Sequence, residues 1–137
     1  MRTIIRMEER KYLHGEITEK IIACALKVHT TLGNGFQEVI YQRALEIEFQ
    51  NHNLNFKREF SMKVFYNNHQ IGTRRVDFLI NGCVSLEIKA AKELESVHFA
   101  QAQNYLEAYN LEVGLLVNFG EKSLRFKRLE NKKYKSA

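Results

Sequence analysis

Asp77 and the triplet Glu87-Ile88-Lys89 are the residues whose types and spacing best suit chemistry in this chain. Two carboxylates and an ammonium, brought together on a β-hairpin, are what metal-assisted cleavage of a phosphodiester requires. The carboxylates would hold a hard divalent cation through oxygen, and the ammonium would stabilise charge developing on the phosphate. Glu-x-Lys recurs at Glu9-Arg10-Lys11 and Glu130-Asn131-Lys132, both in polar, charged surroundings, so the triplet alone is not specific. The copy at 87–89 differs in context. Val84, Leu86 and Ile88 alternate there with Ser85, Glu87 and Lys89, which predicts a strand carrying the chemical residues on one face.

The hairpin register sharpens the expectation. A two-residue Asn81-Gly82 loop would pair Phe78 with Ser85 and set Asp77 against Leu86, wasting the apolar face. A three-residue loop, Asn81-Gly82-Cys83, pairs Ile80 with Val84, Phe78 with Leu86 and Val76 with Ile88. Asp77 then faces Glu87, with Cβ atoms about 4.5–5.5 Å apart, and a one-residue slip would send one carboxylate to the far side of the sheet. Core packing and cation binding favour the same register.

The elements that must position these residues follow from periodicity. Ile17, Ile21, Ala25, Val28 and Leu32 recur at helical spacing, predicting a helix from Glu16 to Leu32 that stops at Gly33-Asn34-Gly35. A second helix is expected over Gln37–Gln50. Phe56–Tyr66 reads as a strand half exposed to water, with Phe56, Phe60, Met62, Val64 and Tyr66 inward and Lys57, Glu59, Ser61 and Lys63 outward. Asn67-Asn68 turns the chain into the Asp77 strand, and the Asn81 turn leads to the Glu87 strand, giving a three-stranded antiparallel meander. A third helix, Ser96–Asn110, then leads to Val113–Phe119, a run apolar enough for a strand buried on both faces and reached by a crossover helix. Leu124–Leu129 is the last strand expected, and the basic tail Asn131–Ala137 is expected to fray.

The 137 residues, 45% hydrophobic and 27% charged, suit one globular domain with a single core. No segment reaches the length of a membrane span, and Met1–Lys11 lacks the apolar stretch of a signal peptide, so a cytoplasmic location is expected. Cys24 and Cys83 are too few and too far apart for a zinc motif and read as reduced, buried small hydrophobes. The net charge of +5 is compatible with a polyanionic partner without requiring one.

Two further groups are candidates. Glu38, Tyr41 and Leu45 lie at i, i+3 and i+7 of the second helix, which puts Glu38 and Tyr41 on one face near its start. Glu38 would be a third metal ligand, directly or through water, or else a carboxylate complementing the positive end of the helix. His98, Gln101 and Tyr105 make a similar stripe on the third helix, suited to a phosphate, a base or Lys89; for His98 alone, a surface role is the better reading.

With these residues in place, the chain resembles the PD-(D/E)XK nuclease superfamily: an αβββαβ order, Asp77, a nine-residue gap, then Glu87-x-Lys89. Gly35-Phe36-Gln37-Glu38-Val39-Ile40-Tyr41 is similar to the Gly-x-x-Glu-x-x-Tyr signature of the small bacterial GxxExxY family. His98-x-x-Gln101-x-x-Asn104-Tyr105-Leu106 and Val113–Gly120 add to the likeness, which runs from about Glu16 to Leu129. The resemblance implies a restriction-endonuclease-like α/β (α+β) fold with helices flanking a mixed sheet. It implies Asp77, Glu87 and the Ile88 carbonyl as ligands of Mg²⁺ or Mn²⁺, Lys89 as the catalytic lysine, and Glu38 as the acidic residue of the first helical region. Gln101 and Tyr105 would match the Gln-x-x-x-Tyr element of the RecB-like branch, and with Tyr41 they would contact substrate. Arg74 and Arg75 stand where relatives often carry smaller or more acidic residues, and they would add phosphate contacts.

The function expected is a metal-dependent nuclease acting on nucleic acid, DNA first, with a homodimer or protein partner supplying recognition. Two other classes fit the same residues. One is a catalytically silent module that binds nucleic acid or a partner with strong salt dependence. The other is a structural protein in which Arg74, Arg75 and Lys89 neutralise Asp77 and Glu87 as a surface salt-bridge cluster.

Overall fold

Apolar periodicity decides the layers. In the computed structural model, which describes residues 14–136, the elements are α1 (Gly15–Leu32), α2 (Glu38–Asn51), β1 (Phe56–Tyr66), β2 (His69–Ile80), β3 (Val84–Lys89), α3 (Ser96–Ala108), β4 (Val113–Asn118) and β5 (Arg125–Glu130). The strands form one mixed sheet in the order β1-β2-β3-β4-β5, antiparallel except for the β3–β4 pair. This α+β arrangement is the restriction-endonuclease-like fold expected. The segment Met1–Lys11, with its Glu9-Arg10-Lys11 triplet, lies outside the described residues, and no helix among those described is long and apolar enough to cross a membrane.

The helix stripe Ile21, Ala25 and Val28 of α1 packs with Leu45 and Phe49 of α2 against Phe78, Ile80, Val84, Leu86, Ile88, Leu115 and Val117, all within one buried cluster. A second cluster on α3 joins Ala102 and Leu106 to Leu116 and Leu129. The central strands β3 and β4 are therefore covered on both sides, and all six residues of β4 are buried. That explains the unbroken apolar run that predicted β4. On edge strand β1, Phe56, Phe60, Met62 and Val64 are only half buried, and Tyr66, expected inward, is exposed beyond a register shift between Val64 and Phe65. Arg58 shares their parity and bonds Glu46 of α2 at 3.1 Å.

The predicted three-residue loop is present: Ile80 pairs with Val84 and Phe78 with Leu86. The ladder ends there, however. Val76 and Ile88, and Asp77 and Glu87, are not ladder partners as the extrapolated register required. β3 continues instead along β4 to the pair Lys89 and Asn118, and the N–H of Ile88 donates to Asp77 Oδ2 at 2.8 Å in place of a strand carbonyl.

The tail also departs from expectation. Asn131 is buried, and its Nδ2 donates to the carbonyls of Leu106 and Leu111 at 3.1 and 3.0 Å. Asn110 exchanges two bonds with the backbone of Lys135, each 2.8–2.9 Å, and Lys133 pairs with Glu107 at 3.0 Å. Lysine composition suggested fraying, but two asparagine amides give the tail's backbone partners and dock it against the end of α3.

Candidate active site

Asp77 and Glu87 come from neighbouring strands at the point where β2 and β3 part. The separation matters because it leaves room beside the carboxylates that continuous pairing would fill. Glu87 is 5% exposed and accepts a bond from Arg74 Nη2 at 2.7 Å; the same guanidinium donates to the carbonyl of Arg75 and lies 5.8 Å over the Tyr105 ring. Burial raises the Asp77 carboxyl above its ordinary value, against the opposing pull of the Ile88 N–H, Lys89 and Arg74, and with a further push from Glu59. Burial also raises Glu87, reinforced by Asp77 and opposed by Arg74 and Lys89. The pair is therefore desolvated strongly enough that two nearby cations, Arg74 and Lys89, do not offset the rise.

Lys89, half buried, ends β3, and a tight clamp fixes the backbone beyond it. Its carbonyl accepts the N–H of Phe119 at 2.7 Å. The side chain of Asn118, fully buried, both accepts from the N–H of Ala91 at 2.9 Å and donates to its carbonyl at 3.0 Å. A Cβ on Gly120 would collide with the Ala91 backbone, so only glycine allows this approach. The segment Val113–Gly120 was legible as a strand with a following glycine, but the part played by Asn118 and Gly120 in placing Lys89 was not.

Glu38 is the first residue of α2, and it lines a cleft of about 200 Å³ with Val39, Gln42, Glu59, Arg75, Asp77 and Ile88. Although Glu38 is exposed, partial desolvation raises its carboxyl, with Asp77 and Glu87 adding to the rise and Lys89 and His98 opposing it. Tyr41 explains how the helix start is held. It is fully buried, donates its hydroxyl to the Gly33 carbonyl at 2.6 Å, accepts the Phe36 N–H at 3.1 Å, and stacks on Phe119 at 4.6 Å. The tyrosine three residues after Glu38 thus pins the loop that presents Glu38. Its hydroxyl is taken up by the backbone, so the structure removes Tyr41 from the substrate-contact role expected of it.

The third-helix stripe divides. His98 Nδ1 accepts the Glu95 N–H at 3.0 Å and closes a capping box, a local role of the kind favoured for it. Gln101 is exposed. Tyr105 is buried beneath Arg74 with its hydroxyl lacking a hydrogen-bond partner, and burial pushes its pKa up to about 12. Arg75 is exposed on the cleft and lies 3.9 Å from Glu59. Alternation put Glu59 on the solvent side, where it is exposed, but did not connect it with the cleft: it falls between the pairs Arg58–Phe78 and Phe60–Val76, level with Asp77, with φ of 52°. No alternation rule signals a residue in that backbone state.

No group of three or more His, Cys, Asp or Glu among the described residues is gathered closely enough to hold a metal ion. Glu38, at the start of α2, is not gathered with Asp77 and Glu87 into such a group. The nearest donor set, the carboxylates of Asp77 and Glu87 with the Ile88 main chain between Glu87 and Lys89, is hard oxygen, and burial holds both carboxyls above their ordinary values. That chemistry fits Mg²⁺ or Mn²⁺ completing its shell with water and phosphate.

Comparison with known proteins bears on the family and the fold. A family model described as the PD-(D/E)XK nuclease superfamily matches residues 15–129. Among solved structures, the chain is similar to the one titled "Crystal structure of SSO0001", with 20% identity and a TM-score of 0.51 over 67% of this chain and 48% of that one. At that identity the likeness concerns the fold alone, and the match spans about half of that protein. No curated protein matches the chain.

Proposed function

The chain belongs to the PD-(D/E)XK nuclease superfamily, and from that premise we propose that it is a metal-dependent nuclease hydrolysing phosphodiester bonds, with DNA as the first substrate class. The observation that carries this reading is the partly buried Asp77 and the buried Glu87 beside Lys89, both carboxyls raised by desolvation. Stability of the fold does not call for it, since desolvating two like charges is costly even with Arg74 paired to one of them.

Asp77, Glu87 and the Ile88 carbonyl would hold Mg²⁺ or Mn²⁺. The bound cation would supply a water of lowered pKa and neutralise charge on the phosphate oxygens. Lys89, its backbone fixed by Asn118 and Phe119, would orient the attacking water and donate to the developing charge. Glu38 would hold a water at the edge of the cleft. Arg75 and Gln101, both exposed, would meet phosphates, while Arg74 would hold Glu87 in place and give Tyr105 its polar neighbour. Within the superfamily we assign the chain to the GxxExxY branch, because Tyr41 bonds Gly33 and Phe36 and so fixes the loop presenting Glu38. A cytoplasmic location and a dimer or protein partner complete the proposal.

The test is cleavage of labelled single-stranded, duplex and branched DNA, and of RNA, with Mg²⁺ or Mn²⁺, beside Asp77→Ala and Lys89→Met. Cleavage lost in both variants supports the reading. A second reading draws on the 2.7 Å Arg74–Glu87 ion pair, which already gives Glu87 a cation: a silent nucleic-acid-binding module. Absence of cleavage with salt-sensitive binding retained would favour it.

A further inference from the structure

The β1–β2 hairpin outgrows the sheet. β3 pairs with β2 only over Phe78–Ile80, so from His69 to Asp77 the strand has β1 as its sole ladder partner, and the two strands run on as a free ribbon to Tyr66 and His69. Asn67 and Asn68, both at positive φ, close its tip, and a register shift between Val64 and Phe65 bends it there. Tyr109 fastens the ribbon to the end of α3 by donating its hydroxyl to the Met62 carbonyl at 3.0 Å. At the root lie the cleft residues Glu59, Arg75 and Asp77. From Arg75 to His69 the arm spans about 20 Å at the usual rise per residue.

Two properties of this arm point to its partner. Phe65, Tyr66 and Ile71 are 59%, 66% and 65% exposed, and such a group at an element tip adds little to the stability of a monomer. The stretch 60–76 carries Lys63, Arg74 and Arg75 and not one Asp or Glu; Arg74 is engaged by Glu87 at the root, while Arg75 stays largely exposed 3.9 Å from Glu59. A second copy of the arm would set like charge against like charge, whereas a polyanion answers it. Phe65 has no hydrogen-bonding group with which to read a paired base edge, but an aromatic ring offers a stacking face to an unstacked base.

Resting on the nuclease reading, we propose that the distal ribbon is a binding arm for unpaired nucleotides, with Phe65 and Tyr66 stacking on bases while Lys63 and Arg75 meet the phosphates leading into the cleft. The substrate class this defines is nucleic acid with a single-stranded segment beside the scissile phosphate: an overhang, a flap or a branch.

The experiment is fluorescence anisotropy in EDTA, with a labelled single-stranded oligonucleotide and a blunt duplex of the same sequence. Replacing Phe65 and Tyr66 together with Ala should weaken single-strand binding at least tenfold and duplex binding less than about twofold, in line with the usual worth of base stacking. Because the natural chain contains no tryptophan, Tyr66→Trp places a sole reporter at the tip while keeping a ring there; its emission should be quenched by the single strand and not by the duplex. Unchanged affinity in the double variant, with no quenching in Tyr66→Trp, overturns the inference. So does light scattering that shows a wild-type dimer broken by the double variant, which would make the tip a self-association contact. If the wild type cleaves nucleic acid and the double variant binds normally, the arm fails alone; if the wild type binds neither probe, both readings fail together.

Discussion

Two polar clusters lie close together in this molecule and are built on opposite terms. Around Asn118, each amide atom is used: Oδ1 accepts from Ala91 and Gly120, and Nδ2 donates to Ala91 and Glu121. Around Asp77 and Glu87 each carboxylate has a hydrogen-bond donor, Ile88 N–H and Arg74 respectively, yet the environment stays unfavourable to charge. Both carboxyls are raised by burial, and the neighbouring Tyr105 hydroxyl is buried without a partner. Saturated polar groups hold a fold in one arrangement, whereas unsatisfied ones mark where a further component belongs. Asn118 fixes the end of the Lys89 strand, and under the proposed function the desolvated acids beside it would be met by a cation and a phosphate.

Substitution can break this contrast from either side. Asn118→Ala should cost about 3 kcal/mol, since it strands the Ala91 and Gly120 main-chain groups in the interior; a denaturant midpoint close to the wild type would contradict the clamp. Tyr41→Phe should cost about 1–2 kcal/mol, because it removes a hydroxyl bonded at both sides of the loop before α2. At the site, by contrast, Asp77→Asn should leave the metal-free protein as stable as the wild type or about 1 kcal/mol more stable at neutral pH. Tyr105→Phe should change stability by less than about 0.5 kcal/mol, since no hydrogen bond is lost.

The pH dependence of the metal-free protein sharpens the same difference. Asp77 and Glu87 have folded pKa values above their ordinary 3.8 and 4.5, so in that range the folded state binds more protons than the unfolded chain. Their contribution is fully present below the ordinary values and is lost as pH rises through the raised ones. Stability attributable to the pair should therefore fall as pH climbs from about 4, and the combined Asp77→Asn and Glu87→Gln variant should lose that part of the slope. Urea midpoints across the range, in EDTA, measure it; identical slopes would show that the two carboxyls are not held above their ordinary values.

Much of the fold was legible. Periodicity set each helix and strand to within about two residues at most boundaries, and the apolar pairs Phe78 with Leu86 and Ile80 with Val84 set the hairpin register. What escaped was long-range. The hairpin ladder stops early because β4 claims β3 as a parallel partner, and nothing local to residues 76–88 announces that competition. Lys132, Lys133 and Lys135 suggested a loose tail, while the docking depends on single amides at Asn110 and Asn131 that carry no periodic signal. The site was legible as residue types, Asp77, Glu87, Lys89 and Glu38. The buried hydroxyl role of Tyr41 was not, and neither was the place of Glu59 at the cleft. Those depend on which backbone groups the fold leaves unpaired.

The central claim is that the desolvated pair is a cation site. Titration calorimetry of Mn²⁺ into the wild type and into Asp77→Asn tests it most directly, with the thermal midpoint read alongside. The account predicts one saturable site in the wild type with a matching rise in melting temperature, and neither in a variant that is otherwise folded. Equal heats and equal shifts in the two proteins, or none in the wild type, would contradict it.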